Sequence, residues 1–349
     1  MKSCKIRKVV SFVYMLSFAE GSIAPGIVTT SSSLNAKYEC DLHCHTTRSD
    51  GNDSPEELVI NAAKGGLKVV AITDHDVPPP LYLDTPQGRI SVKEFAHQHG
   101  VEIVLGIEFS CDTYVDDVHI LGYRMDWENP LLAEAVERMR RSKTEAYRKL
   151  CEILTAKGMP IDYENEILKY IDEDGNIRYR DPDEVERKHI FELMAKKGYA
   201  PSWKDAKIMV RDDPELNVRR EKISPFDAID LIKSCGGTAV LAHPFLIDEV
   251  IHYPDGRNLT REEYIERLIN HGIDGMEARY LYSKTSYKGN LKDFEIEEYI
   301  RTKYSTKVKF FSGGSDYHAD HKKGVSNPRH LGEAGVTLQE FNFIKEYLI

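Results

Sequence analysis

The residues with the most chemical content begin at Asp41-Leu42-His43-Cys44-His45. On an extended strand, side chains two apart share a face, so His43 and His45 have the geometry of two ligands to one ion. Taken alone, such a pair is more readily explained by two histidines on a solvated strand face. It is followed by Asp50 in the next turn, Thr73-Asp74-His75-Asp76, Gly106-Ile107-Glu108, Val118-His119, Ala242-His243-Pro244 and Ser315-Asp316-Tyr317-His318. Six of the 13 histidines fall in these short motifs, which unrelated core or surface histidines would not do. Nitrogen and oxygen donors without thiolates suit zinc, manganese or iron. Divalent ions held close together generate hydroxide from water at neutral pH, clamp a phosphoryl group and stabilise a leaving oxygen, so hydrolysis of a phosphate ester is the expected chemistry.

Neighbouring residues receive lesser roles. Strand parity points Cys44 away from His43 and His45, and both Cys44 and Cys111 read as core fillers. Asp41, Asp74 and Asp76 are expected either to orient imidazoles or to cap loops at strand ends. Ser312 and Ser315 are not nucleophile candidates, because no Ser-His-Asp pattern accompanies them.

These motifs need a scaffold that gathers distant positions. Short apolar runs alternate with amphipathic stretches, the pattern of an α/β protein. Strands are predicted over Leu67–Thr73, Val101–Leu105, Val118–Tyr123, Thr238–Ala242, Gly275–Glu277 and Lys307–Ser312. Ser54-Pro55-Glu56-Glu57 and Ser224-Pro225 read as helix starts, with an N-cap and a proline in the first turn. Further helices are predicted over Glu262–Asn270 and Phe294–Lys303. Between 130 and 223 the texture changes to long charged helical segments, Leu131–Lys157 and Glu184–Lys197, joined by a polar connector over Asp172–Asp183. The candidate ligands fall at the C-terminal ends of strands, with His119 near the start of its own, and in a β/α barrel that rim builds the active site.

The ordered set DLHCHT, SDG, AITDHD, GIEFS, HILGY, AHPF, GMEARY and GGSDYH resembles the PHP (polymerase and histidinol phosphatase) family of metal-dependent phosphoesterases, over most of 37–332. The resemblance implies a distorted (β/α)7 barrel with two or three divalent ions of manganese, iron or zinc. By motif position it implies that His43, His45, Glu108 and Asp316 hold one ion, that Glu108 bridges to a second held by His119 and His243, and that Asp50, His75 and His318 hold a third. The catalytic group would be a metal-bound hydroxide held by Glu108, Asp316 and His243. The implied division is an N-terminal extension or signal-like leader at 1–36, barrel at 37–129, helical insertion at 130–223 and barrel again at 224–349.

An insertion of this size resembles the branch acting on nucleoside 3',5'-bisphosphates and the 5' ends of short RNA. Within it, Arg148 lies in a run resembling the helix that opens that branch's insertion, with a solvated helix face as the competing reading, and Arg187-Lys188-His189 resembles a substrate-contacting Arg-Pro-His element, with Lys188 in place of the proline. Arg148, Arg187 and His189 are therefore the expected substrate contacts. The function expected is hydrolysis of a phosphomonoester, the 3'-phosphate of a 3',5'-bisphosphonucleotide, together with the 5' ends of short oligonucleotides. Alternatives are a phosphatase of histidinol phosphate or another small molecule, and a catalytically silent metal-binding module.

Composition sets outer limits. With 41% hydrophobic and 30% charged residues the chain is neither disordered nor fibrous. A net charge of -10 disfavours a broadly basic surface for long duplex DNA and favours small phosphorylated partners. Six cysteines without CxxC spacing predict free thiols and a cytoplasmic setting. The alternative is export, since Lys2, Lys5, Arg7 and Lys8 precede an apolar run over Val9–Ala19 in the manner of a signal peptide. That run is too short to span a bilayer.

Overall fold

The computed structural model describes residues 36–111, 115, 118–171, 175–253 and 255–349. The signal-like run over Val9–Ala19 lies outside the described residues. No helix among those described is long and apolar enough to cross a membrane, and the cysteines among them, Cys40, Cys44, Cys111, Cys151 and Cys235, are all free thiols.

Seven strands stand side by side in chain order: β1 (Cys40–Asp41), β2 (Val69–Ile72), β3 (Glu102–Ser110), β4 (His119–Tyr123), β5 (Thr238–Leu241), β6 (Gly275–Arg279) and β7 (Phe310–Gly313). Every residue of β2 and of β5 is buried, as expected of strands covered on both faces. Pairing is parallel from β1 to β3 and from β5 to β7. Only β4 is reversed, antiparallel to β3 and to β5. The outer strands nearly close a barrel: Leu42 N–H donates to the Gly313 carbonyl (3.3 Å), and His45 N–H to that of Tyr317 (2.8 Å).

Parity along the strands divides the interior. Val69, Ala71, Val104, Leu121, Tyr123 and Val240 face inward and form an apolar floor with Phe341, Ile344 and Leu348. The last three belong to the C-terminal helix, which closes the barrel from below. Positions of the same parity nearer the rim are Glu108, His119 and Glu277. The reversal of β4 matters here: His119, its first residue, pairs with Ser110, the last of β3, so the start of β4 reaches the same rim as the ends of the parallel strands.

The helices are α1 (Pro55–Gly65), α2 (Val92–Gln98), α3 (Pro130–Ala156), α4 (Arg187–Lys196), α5 (Trp203–Asp212), α6 (Pro225–Ser234), α7 (Arg261–His271), α8 (Asp293–Tyr304) and α9 (Leu338–Leu348). The Ser54 hydroxyl caps α1 by accepting from Glu57 N–H, and Gly66 ends it with a left-handed φ of 85°. The insertion between β4 and β5 has its own core, in which Leu150, Leu154, Ile190, Phe191, Met194 and Val210 pack together.

Three expectations need correction. β3 runs on to Ser110 rather than ending at Leu105, so Glu108 lies within a strand. The supposed polar connector contains part of an antiparallel hairpin, Lys169–Ile171 against Ile177–Tyr179. Helices α2, α5 and α9 were not anticipated.

Candidate metal centre

Close backbone approach builds the rim. A Cβ on Gly314 would stand 2.3 Å from that of His43, so only glycine lets the β7 loop lie against the first ligand. Asp76, His243 and Asp316 adopt positive φ (56°, 26° and 52°), a strained conformation for residues with side chains that concentrates at functional sites.

All nine predicted ligands come together around Glu108. Its Oε2 lies 3.1 Å from His43 Nε2, 3.1 Å from His45 Nε2 and 3.2 Å from His75 Nδ1. Its Oε1 lies 2.9 Å from His119 Nδ1 and 3.1 Å from His243 Nε2. Asp316 Oδ1 is 3.0 Å from His45 Nε2, and Asp50 Oδ1 is 3.1 Å from His318 Nε2. Three overlapping sets have donor atoms within 4.8 Å of one another: His43, His45, Glu108 and Asp316; His75, Glu108 and His119; and His45, Asp50, His75 and His318. Most of these side chains are buried, while Asp50 stands exposed at the lip.

The donor set fits metal ions. His43 Nε2 and His45 Nε2 approach to 3.2 Å while both face the same carboxylates, and His243 Nδ1 is buried without a partner. Burial opposes charge on His45, yet its hydrogen bonds to Asp316 and Glu108 carry its pKa up to about 10. Glu108 is held well below the usual carboxylate range, against its burial, by His43, His75 and His119. The cluster thus gathers positive charge around ionised carboxylates, the role that divalent ions would take over.

The surrounding contacts correct one expectation. Neither Asp41 nor Asp74 touches an imidazole. Asp41, raised to about 6 by burial, accepts from Ser315 N–H (2.9 Å), Ser315 Oγ (2.6 Å) and Gly332 N–H (2.8 Å). Asp74 accepts from Thr46 N–H and Oγ1 (both 2.7 Å) and from Ser49 Oγ (2.6 Å). Asp76 accepts from Ser110 N–H (2.9 Å) and pairs with Arg220 (3.3 Å). All three hold loops. The carboxylate that faces a ligand ring from behind is Glu277, whose Oε1 lies 3.3 Å from His43 Nδ1 and whose Oε2 accepts from His243 N–H (2.9 Å). Cys44 and Cys111 are buried and burial pushes both thiols up.

Two cavities open beside the cluster and share His75. The first, about 270 Å³, is lined by cluster residues together with Tyr280, Lys284, Thr285, Ser286 and Arg329. Arg329 pairs with Asp316 and donates to His318 Nδ1 (3.0 Å), and Tyr280 OH donates to Asp316 Oδ2 (2.7 Å). The second, about 290 Å³, lies against α3, with Arg48, Arg140, Lys143 and Arg220 around an apolar wall of Val77, Val136 and Met139.

The three expected substrate contacts line neither cavity. Arg148 lies exposed on α3 and pairs with Glu164 (2.7 Å). Arg187 donates to the Val218 carbonyl. His189 Nδ1 accepts from Glu186 N–H (3.0 Å) at the start of α4 and faces a separate groove of the insertion. Sequence reasoning missed Glu277, Tyr280, Lys284 and Arg329. The first two sit in the quoted GMEARY motif, where strand parity gave a signal for Glu277; the others lie in loops that carry none.

Comparison with known proteins agrees with this geometry. The PHP domain model matches residues 41–198. A 5'-3' exoribonuclease of Haemophilus influenzae is 29% identical over 212 residues, covering 60% of this chain and 70% of its own length. A 3',5'-nucleoside bisphosphate phosphatase of Chromobacterium violaceum is 27% identical over 288 residues, covering 81% of this chain and 88% of its own. A solved structure described as a metal-dependent phosphoesterase of Bifidobacterium adolescentis, 24% identical, superposes with a TM-score of 0.65 over 90% of this chain and 97% of that one, a likeness of fold. The chain carries a PHP domain over residues 41–198.

Proposed function

We propose that the protein hydrolyses the 3'-phosphate of nucleoside 3',5'-bisphosphates and also acts on the 5' ends of short oligonucleotides. The observation that carries this reading is the pair of cavities that share His75 of the ligand cluster, each lined by arginine and lysine side chains. A substrate with one phosphate has use for one of them; a bisphosphonucleotide has use for both. The relatives named for bisphosphonucleotide and RNA hydrolysis support the same substrate class.

His43, His45, Glu108 and Asp316 would hold one divalent ion, Glu108, His119 and His243 a second, and Asp50, His75 and His318 a third. Bound there, such ions supply Lewis acidity and a nucleophile at neutral pH. In the first cavity, Arg329 and Lys284 receive the oxygens of the reacting phosphate, the guanidinium with a fork suited to paired oxygens. The Tyr280 hydroxyl and Arg329 fix the second oxygen of Asp316, leaving Oδ1 turned toward His45. In the second cavity, Arg48, Arg140, Lys143 and Arg220 receive the other phosphate, while Val77, Val136 and Met139 exclude water from the nucleoside.

The test compares phosphate release from adenosine 3',5'-bisphosphate and from histidinol phosphate by the manganese-loaded protein. Charged hydrogen bonds to the second phosphate contribute about 1.5–3 kcal/mol, which predicts a kcat/KM preference of roughly 10- to 100-fold for the bisphosphate. Equal or faster release from histidinol phosphate overturns the substrate. Unchanged activity in His43→Ala would identify the ligand cluster as silent.

A further inference from the structure

The insertion carries a groove that the chemistry above does not use. The strand Lys169–Ile171 of the hairpin, Arg180 just after its second strand, and helix α4 line a groove of about 570 Å³. Tyr170 and Arg180 stand together in it, the guanidinium 3.7 Å from the ring centroid and held there by donation from Nη1 to the Ile167 carbonyl (2.8 Å). Lys169, Arg180 and Lys196 line the groove without a carboxylate within ion-pair distance among the described residues, whereas Lys197 is neutralised by Glu166 at 2.6 Å. Glu192, the other acid lining it, lies 3.7 Å from Lys188.

The groove adjoins the second cavity: Lys143, which lines that cavity, pairs with Glu186 (3.0 Å), whose backbone N–H donates to His189 Nδ1 (3.0 Å) on the wall of the groove. His189, on its wall, is kept neutral, with its pKa lowered to about 3 by burial and then by Arg180, Lys323, Lys188 and Lys143. In a chain of net charge -10, three cations beside an aromatic ring with no ion-pair partner among the described residues are a local feature. Aromatic and guanidinium faces stack on bases, and the cations follow a phosphate backbone.

We infer that this groove binds a downstream nucleotide of a short single-stranded oligonucleotide whose end lies at the metal centre. What happens at that centre rests on the function proposed above; the binding itself does not. The base stacks against Tyr170 and Arg180, and Lys169 and Lys196 meet the flanking phosphates.

The test measures fluorescence anisotropy of a fluorescein-labelled uridine hexanucleotide with the full-length chain in chelator, so that nothing turns over. Arg180→Ala combined with Lys196→Ala is expected to weaken Kd at least about fivefold and, at about 0.7 for each neutralising cation removed, to flatten the plot of log K against log salt by about 1.4. Tyr170→Leu should weaken binding without altering that slope. All three substitutions should leave phosphate release from adenosine 3',5'-bisphosphate unchanged within about twofold. Unaltered hexanucleotide affinity in the variants, no binding by the native chain, or an equal loss on the mononucleotide each overturns the groove. If the native chain releases no phosphate while the variants still lose the hexanucleotide, the groove stands and the reading of the centre falls.

Discussion

Glu277 concentrates the logic of the site in one side chain. It is buried, and its two oxygens serve two elements: one faces the His43 ring from behind and the other accepts the His243 backbone N–H. Partners of this kind fix the orientation of a ligating imidazole, and their loss typically costs about 10- to 100-fold in metal affinity. Glu277→Ala is therefore expected to weaken manganese binding by that factor in competition with a chromophoric chelator, with Glu277→Gln between the two because the amide keeps an acceptor oxygen. Equal affinity in Glu277→Ala and the native chain would remove this role. The nine clustered residues were legible because His, Asp and Glu recur at strand ends. Glu277 was less so, since one acid in an apolar strand looks the same whether it orients a ring or caps a loop. Arg148 misled for the opposite reason: its partner Glu164 belongs to another turn of the insertion, and a satisfied guanidinium reads like a free one.

Helix α9 shows how an element outside the site supports it. Thr337 and Glu340 form a reciprocal cap, Glu340 N–H donating to Thr337 Oγ1 (3.2 Å) and Thr337 N–H to Glu340 Oε2 (2.8 Å). Arg279 of β6 grips the same carboxylate through two nitrogens at 2.6 and 2.8 Å, tying the barrel floor to the sheet. Burial opposes ionisation of Glu340, but Arg279 and Thr337 lower its pKa to about 2. A folded pKa below the unfolded value of about 4.3 gives stability that is present above that value and lost as pH falls toward 2. With a third of the side chain exposed, solvent screening reduces the linkage to about 1–2 kcal/mol. Glu340→Gln should be less stable than the native chain by that amount in urea at pH 7, and the gap should close near pH 2; a gap independent of pH refutes the argument. The starts of α1 and α6 were legible because serine and proline announce them. Ser202-x-x-Asp205 and Thr337-x-x-Glu340 carry similar signals for α5 and α9, but no chemical motif followed to draw attention there. The reversal of β4 was implicit in its short connection to β3, since parallel neighbours need a longer crossover.

At the scale of the whole molecule, the order of motifs conveyed the barrel, but the site of closure could not be read from it. The groove on the insertion likewise depends on how the hairpin and α4 fold together, which no spacing encodes. Closure has an energetic consequence. β1 and β7 meet through few backbone bonds, and candidate ligands flank that seam, His43 and His45 on one side and Asp316 and His318 on the other. An ion shared across the seam would bind the closed barrel and not the unfolded chain, stabilising it by about 2.7 kcal/mol per site at a free concentration 100 times Kd. For a chain of 349 residues that corresponds to an increase of roughly 3–5 °C in Tm per site. The insertion has a core of its own, so the effect should be local. Removing manganese with a chelator should therefore lower Tm by that amount and speed amide hydrogen exchange at 42–45 and 313–318, while exchange around Leu150, Ile190 and Val210 stays slow. If the insertion core loosens equally, or the melting temperature does not respond to metal, the nine groups do not act as one centre, and the barrel is held shut by its apolar floor alone.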